Sequence, residues 1–175
     1  DKDTILNHIL KANLFPLIRQ RPFNKIANPI SNPRDIFISG YNTAPLSVDL
    51  HPIIEENMDV FQLGLTALSK LTEGKVFLTL KDEIKFEDVQ VQKISGPHPA
   101  GNVGIQIHHT KPLKPNEVIW TVNAQHVVTL GRLFKTGIYD PKITILVGGS
   151  GSNKPESLKV TTGASIHSIM ENQKT

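Results

Sequence analysis

The chain has 175 residues, 38% of them hydrophobic and 20% charged, with a formal net charge of +3. That length and balance describe one globular domain with a core of its own and exclude a disordered chain. With no cysteine, disulfides, thiolate-held zinc or iron–sulfur clusters and thiol catalysis are excluded, and the absence fits a reducing compartment.

No apolar run approaches the length needed to cross a bilayer. Asp1, Lys2 and Asp3 lead straight into an amphipathic segment, without the pattern of a secretory signal. The cations are dispersed, and their nearest grouping is Arg19, Arg21, Lys25 and Arg34. Such a grouping suits a local anion or partner contact and not the broad basic footprint of a nucleic-acid binder.

In chain order, residues 3–14 predict a helix capped by Asp3, with Ile5, Leu6, Ile9 and Leu10 on one face. Residues 15–34, with Pro16, Pro22, Pro29 and Pro33, predict an irregular stretch. Within it, Leu14 to Ile26 mixes apolar residues with Arg19, Arg21 and Lys25. Two readings stand side by side there. Either the segment lines a slot and donates hydrogen bonds to carbonyl or phosphate oxygens, or it wraps the core with snorkelling cations. Ile36–Ser39 reads as a strand that ends at Gly40 and enters a loop, Tyr41–Leu46, whose Pro45 forbids regular pairing.

A helix is expected over 59–72, with Phe61, Leu65, Leu68 and Leu71 as its apolar stripe and Gly74 at its C′ position. Residues 75–80 read as a strand, and strand–helix–strand implies a parallel pair with a right-handed crossover. Residues 89–94 alternate as a further strand and feed directly into 95–109. In that segment Pro97 and Pro99 bracket His98, Gly101 and Gly104 follow, and His108 and His109 close it. So many prolines and glycines predict a shaped loop and no regular element. Adjacent histidines on an extended backbone point to opposite faces, so His108 and His109 cannot readily share a metal, even with His98 nearby, and no carboxylate is spaced to complete a site.

Val118–Val122 reads as a fourth strand. Asn123 then caps a helix carrying Val127, Leu130, Gly131 and Phe134, closed by Gly137. Residues 143–147 are a fifth strand, 148–152 a turn, and 157–161 pair back as a hairpin. Gly148-Gly-Ser-Gly-Ser-Asn-Lys-Pro155 lacks the Gly-Lys-Ser/Thr end of a phosphate loop. There is no nucleophile elbow, no His-Glu-x-x-His and no paired-carboxylate motif. The alternation implies an α/β fold, a mostly parallel twisted sheet flanked by helices, Rossmann-like, with a short C-terminal hairpin. In such sheets ligand loops leave the carboxyl ends of strands, which puts the Tyr41 and His98 loops on one edge.

Four blocks stand in order: Arg21-Pro-Phe-Asn-Lys-Ile-Ala27, Phe61-Gln-Leu-Gly-Leu-Thr-Ala-Leu-Ser-Lys-Leu-Thr72, Gly96-Pro-His-Pro-Ala-Gly-Asn-Val-Gly104 and Leu130-Gly-Arg-Leu-Phe-Lys-Thr-Gly137. Together they resemble the A subunit of the sodium-translocating NADH:quinone oxidoreductase of bacteria, over nearly the whole chain. The resemblance implies that residues 1–155 form an α/β domain similar to the flavin-binding subunit of respiratory complex I and to the C subunit of Rnf complexes, without a cofactor. Residues 156–175 would begin a β-grasp, soluble-ligand-binding domain, in a subunit that is longer at both ends. The start without Met, and the apolar pattern of Ile166, Ile169 and Met170 just beginning, agree with that expectation.

By the same resemblance, FMN, FAD and iron–sulfur clusters belong to other subunits, and the isolated fragment is inactive, with no catalytic residue of its own. The domain is expected on the cytoplasmic face of the inner membrane, docked on a membrane-embedded subunit of the quinone site, with ubiquinone or menaquinone as the quinone. Arg19, Arg21, Phe23, Lys25, Tyr41, His98, Gly101 and His108 are the residues expected to contact quinone or partner. Gln125-His126 stands where the family pattern leads one to expect Gln-Asp, so any role of that Asp does not carry over. The alternatives are a flavin- or nucleotide-binding domain that kept its pocket, and a pure docking scaffold.

Overall fold

The computed structural model describes residues 1–82, 84–150, 152 and 154–171. Helix α1 (Lys2–Lys11) begins ahead of the expected start, and its cap is Asp1, whose carboxylate accepts from the Thr4 amide at 2.8 Å. The stretch expected to be irregular contains a 3₁₀ turn (Phe15–Leu17) and two short strands, β1 (Arg19–Arg21) and β2 (Lys25–Ile26). They form an antiparallel hairpin, and β1 also lies antiparallel on β6 (Ile119–Asn123). The prolines fit because each lies outside a strand: Pro16 in the 3₁₀ turn, Pro22 between the strands, Pro29 and Pro33 beyond them. Only Gln20 of β1 points inward, and its side-chain carbonyl accepts from the Asn28 amide at 3.1 Å.

The remaining strands of the sheet are β3 (Ile36–Ser39), β4 (Val76–Leu80) and β5 (Gln90–Lys93). The spatial order is β2-β1-β6-β3-β4-β5, with β6, β3, β4 and β5 mutually parallel. Alternate residues divide the core. Ile36, Ile38, Leu78, Trp120 and Val122 face a large cluster with α3 (Met58–Ser69) and α5 (Ala124–Thr136), while Phe37, Phe77 and Ile119 face a smaller one. A short helix, α2 (His51–Glu55), precedes α3.

The segment 95–109 corrects the expectation of a loop. Its second half is helix α4 (Val103–Thr110), which covers the smaller cluster with Ile107. Burial of Ile107 and Val103 against Phe37 and Phe77 outweighs the weak helix propensity of this stretch. Gly74 is likewise no helix cap. α3 ends at Ser69, and a Cβ on Gly74 would stand 1.8 Å from the Arg34 carbonyl oxygen, so the glycine serves close backbone packing. Asn123 and Gly137 do cap α5, the former accepting from Gln125, the latter at φ 73°.

α3 and α5 cross through two glycines. A Cβ on Gly131 would lie 1.7 Å from the Val60 carbonyl oxygen, and one on Gly64 would lie 2.4 Å from that of Val127. The fifth expected strand, β7 (Lys142–Val147), does not extend the main sheet but pairs antiparallel with β8 (Glu156–Thr161) alone. The Gln125 side chain joins this hairpin to α5, accepting from the Thr144 amide at 2.8 Å and donating to its carbonyl at 3.0 Å. Helix α6 (Ile166–Glu171) follows.

At the amino end of β3, fully buried Asp35 receives Lys111 at 2.7 Å, Arg34 at 2.6 Å and the Lys75 amide at 3.0 Å. Arg34 also bonds Glu117 and the carbonyls of Lys111 and Pro112. This knot ties the chain leaving α4 to the root of the sheet.

Candidate functional site

The carboxyl ends of β3 and β6 open into a cavity of about 540 Å³. Its floor is made by strand-end residues: Ser39 from β3, and Thr121, Val122 and Asn123 from β6. One wall is β1, where Arg19 and Arg21, two apart on a strand, present their side chains to the same side. The opposite wall is the first turn of α4 with its approach, from Gly101 to Ile105. Leu17 and Leu50 add apolar surface, and His126 enters from the first turn of α5. The cavity therefore sits where a mostly parallel sheet is expected to hold its ligand loops.

The two loops expected on one edge do meet there. The Thr43 hydroxyl accepts from the Gly101 amide at 2.8 Å and lies 3.2 Å from His98 Nδ1. A Cβ on Gly101 would come within 2.4 Å of the Thr43 amide nitrogen, which explains glycine at that position. Of the residues expected at the site, Arg19, Arg21 and Gly101 line the cavity. His98 stands behind it on the Thr43 hydroxyl, and half-buried Tyr41 lies in the adjoining loop without lining it.

Phe23, Lys25 and His108 are not part of the cavity. Phe23 and Lys25 are exposed on the β1–β2 hairpin, and His108 is exposed near the far end of α4. His108 and His109 share a helix, not a strand, with ring centroids 5.4 Å apart. Among the described residues no group of histidines and carboxylates could hold a metal ion. Sequence reasoning passed over His126, Asn24, Ser39 and Asn42, which also line the cavity.

No carboxylate lines the cavity. Arg19 donates to the Asn24 carbonyl, whereas buried Nε of Arg21 has no hydrogen-bond partner. Burial, and then the Arg19 cation, pull the Arg21 guanidinium below its ordinary value. Burial also lowers the His126 imidazole, against a hydrogen bond to the Leu17 backbone that favours the cation. The site is a cationic, donor-rich pocket with apolar walls.

A doubly covered α/β sheet with such a pocket at its carboxyl edge is the general class to which these features assign the chain. More particularly, the chain matches the family of the NqrA second alpha/beta domain over residues 1–139, and it belongs to that family. It is 36% identical to the A subunit of the Na(+)-translocating NADH-quinone reductase of Neisseria meningitidis serogroup B, across 95% of this chain and 38% of the relative. It is 34% identical to the protein of the same name from Alcanivorax borkumensis, across 99% of this chain and 40% of the relative. For the Marinomonas protein of that name the identity is 33%, across 97% and 39% respectively. The chain thus spans about two-fifths of the length of these curated relatives. The resemblance drawn from the four sequence blocks is thereby established. No helix among the described residues is long and apolar enough to cross a membrane.

Proposed function

We propose that this chain is a peripheral, cofactor-free domain of a sodium-translocating NADH:quinone reductase and that it contributes to assembly of the complex. FMN, FAD and iron–sulfur clusters, electron transfer and sodium transport belong to other subunits in this reading, and the cytoplasmic face of the inner membrane is its place. In the same reading residues 1–155 are the α/β domain, and a β-grasp domain begins at residue 156, with β8.

The observation that supports docking is an apolar group at one edge of the sheet. Phe23 is 81% exposed, Ile26 49% and Ile30 88%, all on or just after the hairpin that forms the sheet's β2 edge. An open strand edge carrying large apolar side chains is a surface that other protein covers. Lys25 adds a cation beside it. The occupant in this reading is another subunit of the complex, the membrane-embedded quinone-site subunit first.

The test is the double substitution Phe23→Asp and Ile30→Asp in the whole subunit, with assembly followed by co-purification of the other subunits. Loss of co-purification with an unchanged melting temperature supports the reading. Full assembly of the variant complex overturns it. FMN absorbance in the purified subunit would overturn the cofactor-free part alone. Quinone contact through Arg19 and Arg21 is the second reading, favoured by their position in a cavity with apolar walls.

A further inference from the structure

We propose that the cavity at the carboxyl edge of the sheet binds, as an exchangeable ligand and not as a resident redox cofactor, an organic phosphate of mononucleotide size, its phosphate held between Arg21, Arg19 and the first turn of α4. The proposal uses the side of the hairpin that lines the cavity through Arg19 and Arg21, not the exposed Phe23, Ile26 and Ile30 of the docking surface.

Three observations converge on an anion. First, two arginines share one wall, and no Asp or Glu lines the cavity with them. Neither has a carboxylate partner among the described residues, whereas Arg34 has two and Arg132 has one. Arginines that serve only the fold are paired in this molecule. These two are set beside each other, where a shared anion would relieve their mutual repulsion. Second, Nε of Arg21 is buried and makes no hydrogen bond. A buried donor left open is costly unless a ligand satisfies it. Third, the N-cap Asn102 makes no capping hydrogen bond with its side chain; the Ile105 amide donates to the Asn102 carbonyl at 2.9 Å, which leaves the amides of Val103 and Gly104 unbonded at the cavity.

The size and the walls define the rest of the ligand. Inorganic phosphate alone would leave most of about 540 Å³ unfilled. Leu17, Leu50, Val103 and Val122 offer apolar surface to a ring or sugar, while Asn42 and Asn123 offer amides to its polar edge. Gly104 lines the cavity, and a Cβ added there would meet no heavy atom within 4 Å. That open position provides a way to block the site without disturbing the core.

The experiment uses the intact subunit to which this chain belongs and titrates AMP by calorimetry, with inorganic phosphate as competitor. Saturable binding of AMP, reduced by phosphate, is expected. Arg21→Gln and Gly104→Glu should each weaken AMP at least tenfold. A glutamate in the first turn of a helix favours that helix, so Gly104→Glu is expected to fold, as its melting temperature would show. If Arg21→Gln does not fold, Gly104→Glu decides alone. The proposal is overturned if the wild-type protein gives no saturable heat at millimolar AMP, or if Gly104→Glu binds AMP as wild type does. Binding of short-chain ubiquinone that Gly104→Glu abolishes, with AMP inert, would overturn it in favour of the quinone reading.

Discussion

The two ends of one sheet treat charge in opposite ways. At the amino end of β3, Asp35 is fully buried and answered by Arg34, Lys111 and the Lys75 amide. At the carboxyl end, Arg19 and Arg21 stand in a cavity with no acid on its lining. The first grouping brings Lys111 to Asp35 from far along the chain, and the second sets two near neighbours of β1 beside β6. One is closed on itself, so its chemistry is spent on the fold. The other is open, so its chemistry is free to meet something outside the chain. The difference separates structural charge from functional charge here better than burial does, since Arg34 and Arg21 are both only partly buried.

The strongest way to break that contrast is Asp35→Ala. It should destabilise the domain by about 3 kcal/mol, because it leaves Lys111 without a counter-charge and Arg34 with Glu117 alone. Urea unfolding measures the loss, and a change below about 1 kcal/mol would mean the knot is ornamental. The pH dependence sharpens the point. Burial alone would raise the Asp35 carboxyl, but Lys111, the Lys75 amide and Arg34 outweigh it and hold it below the usual carboxylate range. A lowered native value means that the stabilisation is complete above the unfolded value of about 3.9 and is lost as pH falls through the native one. Asp35→Asn should flatten that acid limb.

Next in size is Gly131→Ala. Its methyl would meet the Val60 carbonyl in the backbone of α3, which cannot rotate away. Forcing the two helices apart should cost about 2 kcal/mol, read from the same urea curves. Gly104→Ala, also in a helix but facing open space, should be neutral or slightly stabilising. Equal losses at the two glycines would show that propensity, and not the helix crossing, sets the cost.

The parts legible from sequence were those whose signal is local. Ile36–Ser39 and the strand ending at Leu80 show as apolar runs, and α5 shows through its Asn123 cap, apolar stripe and Gly137. β1 was hidden because Arg19, Gln20 and Arg21 carry no apolar alternation; the strand exists through pairing with β6, far away in the chain. α4 was hidden because its helical state depends on the Phe37–Phe77 surface that Ile107 covers. The site divided along the same line. Arg19, Arg21 and Gly101 were identifiable by residue type, yet Phe23 and Lys25, a few positions on, belong to the hairpin's outer edge. His126 was overlooked because only the fold turns the first turn of α5 toward β1.

A smaller effect is expected at His126. Its native imidazole is lowered mainly by burial. The folded state therefore binds the proton less readily than the unfolded chain. Stability is complete above the unfolded value of about 6.5 and declines as pH falls through the native one. His126→Gln should remove that slope, by well under the amount at stake for Asp35, when melting temperature is followed between about pH 5 and 7.

The smallest effect is the most pointed. Arg21→Gln removes a partly desolvated cation that sits beside Arg19, with its buried Nε unbonded. Loss of aliphatic packing opposes relief of that repulsion, so stability should change by about 0.5 kcal/mol or less, with a gain as readily as a loss. Placed beside Asp35→Ala in one urea series, the pair asks whether the two ends of the sheet differ in kind. A loss of about 2 kcal/mol at Arg21 would show that this cation braces the fold as Arg34 does, and the open end of the sheet would then be structural as well. Near-neutral stability would mean that the fold does not need this cation, which is what separates it from Arg34.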